Sequence, residues 1–254
     1  MALTNMKIFD AHFHIIDPRF PLVSNHGYLP PVFTVDDYSG KMQAFNAVGG
    51  AVVSGSFQGF DQEYLIHTLE ALGDNYFGVA NIPLDLDDFE LDRLNRAGVR
   101  AIRANLKRGG PEQVKNLKYL SKKLYDQFDW HTELYIESES LDGLMSVLKT
   151  LPAFSIDHLG LTKARLDDVY RCVELGAKVK STGFGRIDFD PIPVMKKIME
   201  INPTALLFGT DLPSTRAKVP FSERDIELIE QNFEIDEQRQ IFYKNAISWY
   251  SHVL

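Results

Sequence analysis

Eight times along this chain a short apolar, β-branched run is followed by a stretch of helical character. No other feature of the sequence constrains the fold as strongly. The runs that read as strands cover residues 8–14, 51–56, 76–83, 99–106, 132–137, 153–158, 177–183 and 205–211. The helices between them cover about 34–48, 62–72, 87–96, 111–129, 141–148, 166–175, 191–201 and 223–232, with a last one over about 236–250. Thr34 followed by Asp36 and Asp37 is a helix start, because the hydroxyl caps free N–H groups and the acids oppose the dipole. Gly49-Gly50, Gly73 and Gly98 read as helix stops. Strands that alternate with helices are parallel and joined by crossovers. Eight such units predict closure into an α/β (β/α)8 TIM-type barrel rather than an open doubly wound sheet, and no Gly-x-Gly-x-x-Gly follows a strand. A length of 254 residues suits one such domain, 1–254, with the last helix as an addition to the barrel.

Composition narrows the partners. With 27 basic and 35 acidic residues the net charge is −8, which disfavours nucleic acid as a partner but leaves room for a small anionic substrate met by a few arginines. No basic segment followed by an apolar run opens the sequence, and no run of 18 apolar residues occurs, so a cytoplasmic protein without membrane partners is expected. Oligomeric state is left open, a homo-oligomer included. The one cysteine, Cys172, lies in a helical stretch and reads as a buried structural thiol. Residues 17–33, with Pro18, Pro21, Gly27, Pro30 and Pro31, form a long irregular loop of the kind that serves as a lid or binding loop.

In a (β/α)8 barrel the active site forms at the C-terminal ends of the strands. Strand one ends at His12 and His14, whose i, i+2 spacing puts both on one face. A random arrangement of seven histidines would give roughly 0.2 such pairs, so the pair alone proves little. The other strand ends add to it: Arg103 and Asn105 on strand four with Arg108 beyond, Tyr135 on five, His158 on six, Arg186 past seven, and Asp211 on eight. Two chemistries suit this set. The histidines and Asp211 can hold a divalent metal, zinc foremost, in a metal-dependent hydrolase. Alternatively the histidines polarise a carbonyl without metal while Asp211 takes a proton from the attacking water. The arginines suit a carboxylate-bearing substrate, since a guanidinium binds a carboxylate in a fork.

The segments 9–14, 98–105, 156–160, 176–183, 208–213 and 241–250 together resemble the amidohydrolase superfamily, in particular its amidohydrolase-related branch of lactone hydrolases. The resemblance spans nearly the whole chain. It implies a distorted (β/α)8 barrel and water attack on a ring ester. Asp211 would be the general base, with His12, His14 and His158 around the scissile carbonyl or a metal. Arg103, Arg108 and Arg186 would hold the substrate's carboxylates, and Asn105 and Tyr135, from their strand-end positions, are expected to bind substrate beside them. The branch contains metal-free and zinc-dependent lactonases, so both cofactor states remain open. It also contains metal-dependent non-oxidative decarboxylases of aromatic or unsaturated acids, the second reading. A binding barrel without catalysis is the third, and the intact His12, His14, His158 and Asp211 oppose it. Leu212, Ser214 and the five-residue spacing of Arg103 and Arg108 depart from the lactonase pattern.

Overall fold

In the computed structural model, which describes residue 4 and residues 6–24, 27–107 and 111–251, eight parallel strands form one sheet in sequence order. They are β1 (Ile8–Phe13), β2 (Ala47–Val53), β3 (Tyr76–Ala80), β4 (Val99–Asn105), β5 (His131–Tyr135), β6 (Phe154–Ile156), β7 (Lys178–Ser181) and β8 (Leu206–Phe208). Helices α1 (Val35–Met42), α2 (Glu63–Leu72), α3 (Asp88–Arg96), α4 (Pro111–Phe128), α5 (Leu141–Leu148), α6 (Leu166–Glu174), α7 (Pro191–Ile201) and α8 (Glu223–Asn232) connect them or follow β8. The chain ends in α9 (Ile235–Arg239), a π-helical turn (Gln240–Lys244) and α10 (Asn245–Tyr250). This is the (β/α)8 barrel that the alternation predicts, and α5, α7 and α8 keep the expected ends.

Most strands are shorter than expected, β6 ending at Ile156 and β8 at Phe208, so His158 and Asp211 stand just past their strands. One helix end differs more. The helix expected to run to Val48 ends at Met42, and Gly49-Gly50 lies inside β2 instead of stopping a helix. The glycines serve close packing: a Cβ on Gly49 would stand 2.4 Å from the Asn75 carbonyl oxygen, and one on Gly50 would stand 2.7 Å from that of Asp10. Thr34 caps α1 as expected, in a reciprocal box with Asp37. Cys172 is fully buried and its thiol is pushed up to about 12 by that burial, so it stays protonated and inert.

Two features of the barrel position the site. First, β1 advances three residues from Asp10 to Phe13 while β2 advances two, a bulge that changes which side chains face inward. Phe9 stacks on Phe77 and Tyr250 inside the barrel, Asp10 and Phe13 meet Tyr38 on the helix side, and His12 and His14 turn toward the strand ends. Secondly, the sheet closes just beyond β8. Asp211 N–H donates to the His12 carbonyl and His14 N–H to that of Leu212, both at 2.7 Å. The buried Asp10 carboxylate reinforces the seam by accepting from the Thr210 N–H at 2.8 Å and its hydroxyl at 2.7 Å. At the opposite end Tyr250 of α10 plugs the barrel and donates its hydroxyl to Glu133.

Candidate active site

Closure of the seam puts Asp211 beside the β1 histidines. Asp211 Oδ1 lies 3.9 Å from His12 Nε2, 3.8 Å from His14 Nε2 and 4.0 Å from His158 Nε2. These separations exceed a hydrogen bond, so the three imidazoles ring the carboxylate oxygen without bonding to it. Asp211 Oδ1 and His12 Nε2 are both buried without a hydrogen-bond partner among the described residues. Buried polar atoms are ordinarily satisfied, so two that face each other mark the place where a polar group of a ligand belongs. The backbone there is strained: Asp211 and His158 adopt φ of 59° and 52°, the left-handed region that residues with a side chain seldom enter.

Each histidine is held from behind. His14 Nδ1 donates to the Val53 carbonyl at 2.7 Å, and His158 Nδ1 meets the Thr182 hydroxyl at 2.6 Å. Gly183, itself at φ 59°, permits the second arrangement, since a Cβ there would come within 2.8 Å of His158 Nδ1. His12 Nδ1 faces the Lys180 ammonium at 3.3 Å. Burial, with Arg103 or other nearby cations, drives all three imidazoles below their ordinary range, His14 to about 3, so they are neutral.

The carboxylates behave differently from one another. Burial lifts Asp211 to about 6, against the opposing pull of Arg186, whose Nε donates to Asp211 Oδ2 at 2.5 Å. Asp157 is also buried, but Arg103 at 3.1 Å and Lys180 at 3.9 Å hold it below its ordinary value. Glu133 completes a buried column, bonded to Lys180 and Tyr250 and held low by Lys180 against burial.

Most of the residues expected at the site therefore come together: His12, His14, His158, Asp211, Arg103 and Arg186. Asn105 and Tyr135 line the mouth of the same pocket, with the Arg103 guanidinium 5.0 Å from the Tyr135 ring. Arg108 lies outside the described residues. Lys180, Glu133 and the role of Asp157 are not evident in the sequence, although Lys180 stands two residues before Thr182 and Glu133 two before Tyr135. Period-two spacing from Thr182 back to Lys180, and from Tyr135 back to Glu133, was the available signal. Tyr28 of the long loop and Arg216 are likewise not evident; the Arg216 guanidinium sits 4.3 Å over the Tyr28 ring at the pocket mouth.

His12, His158 and Asp211 form a cluster of metal-ligand type, their ligand atoms within 4.8 Å of one another. The second contacts of two of them oppose a dication, however. A metal-bound histidine ordinarily donates its other nitrogen to an acceptor, whereas His12 Nδ1 meets an ammonium and Asp211 Oδ2 a guanidinium. A second cluster, His12, Glu133 and Asp157, surrounds the Lys180 ammonium itself.

The Amidohydrolase family profile matches residues 9–251, and the chain belongs to that family. Among curated relatives, a 2-pyrone-4,6-dicarboxylate hydrolase of Comamonas testosteroni is 24% identical over 249 residues, covering 82% of this chain and 77% of its own. A 4-sulfomuconolactone hydrolase of Rhizobium radiobacter is 25% identical over 232 residues, covering 81% and 75%. Among solved structures, an Agrobacterium tumefaciens protein without ligand aligns with a TM-score of 0.84 at 17% identity, over 97% of this chain and 96% of that one. A probable 2-pyrone-4,6-dicarboxylic acid hydrolase from Acinetobacter baumannii, with citric acid bound, aligns at 0.79 and 20% identity over 97% and 100%. Among the described residues no helix is long and apolar enough to cross a membrane.

Proposed function

We propose that this protein opens a small carboxylate-bearing lactone by hydrolysis, with Asp211 as general base. The observation that carries the reading is the buried Asp211 Oδ1, without a hydrogen-bond partner among the described residues, inside a ring of three neutral imidazoles. Asp211 takes a proton from water as the water oxygen bonds to the lactone carbonyl carbon. An imidazole N–H group directed into the pocket stabilises the charge that develops on the carbonyl oxygen, a role suited to a buried site where each donor counts for more. The ring C–O bond then breaks, and the proton passes from Asp211 to the departing ring oxygen.

Arg103, Arg186 and Arg216 line the pocket and make it electropositive, which suits a substrate with more than one anionic group. Arg108 is proposed to join them by the family resemblance. The relatives' names support the same substrate class: one hydrolyses a pyrone dicarboxylate and the other a sulfonated lactone. They also favour ring opening over decarboxylation.

The metal-free form of this chemistry is preferred over a zinc-dependent one because Lys180 and Arg186 already occupy the rear contacts of two would-be ligands. A panel of acidic and neutral lactones, followed by acid release and by CO2 release, tests the reaction. Acid release with anionic lactones is expected; CO2 release without ring opening would replace this reading with the decarboxylase.

A further inference from the structure

The buried column beneath the pocket fixes the polarity of one catalytic group. Lys180 is fully buried on β7, in contact with Glu133, 3.9 Å from Asp157 Oδ1 and 3.3 Å from His12 Nδ1. An ammonium has three N–H donors and no lone pair. The neutral His12 ring must therefore present the lone pair of Nδ1 to Lys180, and its single proton stands on Nε2. The competing acceptor for a proton on Nδ1, Asp157 Oδ1, is 3.6 Å away, beyond a hydrogen bond. His14 is fixed in the opposite sense, because its Nδ1 donates to the Val53 carbonyl and leaves Nε2 bare.

From this juxtaposition we infer that Lys180 is a positioning residue: it locks His12 as an Nε2–H donor aimed into the pocket. The neighbouring imidazole pair is thus polarised, His12 offering a proton and His14 a lone pair. A locked donor suits a carbonyl oxygen that gains negative charge, and it withholds from a cation the lone pair a metal would need. Glu133 and Asp157 serve Lys180 in turn, and Tyr250 and Arg103 hold those carboxylates. The barrel plug at one end and the reacting histidine at the other are joined through one chain of polar contacts.

The inference rests on the hydrolase reading only for its catalytic consequence; the tautomer itself is measurable without turnover. Long-range 15N–1H spectra of the wild-type protein, with His12 assigned through His12→Gln, are expected to show protonated Nε2 at His12 and protonated Nδ1 at His14. Protonated Nδ1 at His12 would overturn the proposal whatever the substrate proves to be. Conversely, absence of lactone turnover with the expected tautomers would sink the hydrolase reading alone. The variant Lys180→Met combined with Glu133→Gln removes the cation without stranding its carboxylate. In it, His12 is expected to lose its single tautomer, and kcat to fall about 10²-fold with little change in KM, the size of one lost oxyanion donor. Elemental analysis after incubation with zinc and desalting should find more bound metal in the double variant than in the wild type. An unchanged tautomer and unchanged kcat in a folded double variant would overturn the role of Lys180. Should the double variant fail to fold, the wild-type spectra decide.

Discussion

Asp157, past β6, and Asp211, past β8, are both fully buried and each is paired with an arginine, yet they titrate in opposite directions. Burial pushes both up, and what differs is the set of charges answering it. Asp157 has Arg103 and Lys180, which together hold it down; Asp211 has Arg186 and, after it, Arg103, is opposed by the negative charge of Asp157, and stays at about 6. Asp157 is thus a permanent anion that organises cations around it. Asp211 is a carboxylate whose proton affinity lies near neutrality, where a general base is most effective. Two similar side chains on one rim are set to different proton affinities by the charges around them.

Exchanging each for its amide should separate these roles. Asp211→Asn is expected to cut kcat by about 10²- to 10⁴-fold, the size of a lost general base, with thermal stability kept. Near-normal turnover would end the assignment. Asp157→Asn should instead strip Arg103 and Lys180 of a shared counter-ion and cost about 3–5 kcal/mol, read by chemical denaturation. A variant as stable as the wild type would mean that Asp157 does not hold the column together.

The pH dependence follows with a definite sign. The base must be ionised, so kcat/KM should rise with pH through an acid limb near 6. Stability moves the other way over the same window. Asp211 goes from an ordinary 3.8 to about 6 on folding, so the folded state keeps a proton the unfolded chain has lost, and this group's contribution to stability is lost as pH rises from about 4 to 6. Asp157, held low, contributes stability that is lost only as pH falls below the ordinary carboxylate range. Arg186→Gln should shift the acid limb of the rate profile upward by removing the cation that opposes burial; a limb left in place would mean that Arg186 does not tune Asp211. The smallest effect is expected at the exposed pocket rim: Arg216→Gln should raise KM for an anionic lactone less than about fivefold. An equal rise for a neutral lactone would count against a charge role.

The strand ends were legible in sequence because alternation fixes the fold and the fold fixes where strand ends meet. His12, His14, His158 and Asp211 could thus be gathered from three distant segments. What escaped were residues whose meaning depends on depth. Lys180 and Glu133 look like ordinary charges on strands seven and five; only the closed barrel shows that both are fully buried and neutralise each other there. Gly49-Gly50 misled for the same reason. A glycine pair after a helical stretch is a natural stop signal, and nothing local reveals that Asn75 and Asp10 press against it. Arg216 was invisible because it follows β8 in an irregular segment, and its ring partner Tyr28 comes from the opposite end of the chain.

The seam between β1 and the segment after β8 carries one more consequence. The Asp10–Thr210 contact joins residues 200 positions apart, and the same closure sets Asp211 against His12 and His14. Loop-closure entropy makes such a contact late and dependent on everything between. During synthesis, the earlier strands can emerge and pair with no hydrolytic centre among them. With Asp211 as the proposed base, reactivity arrives together with the last seam of the barrel, and a partly made or partly unfolded chain is expected to be chemically silent.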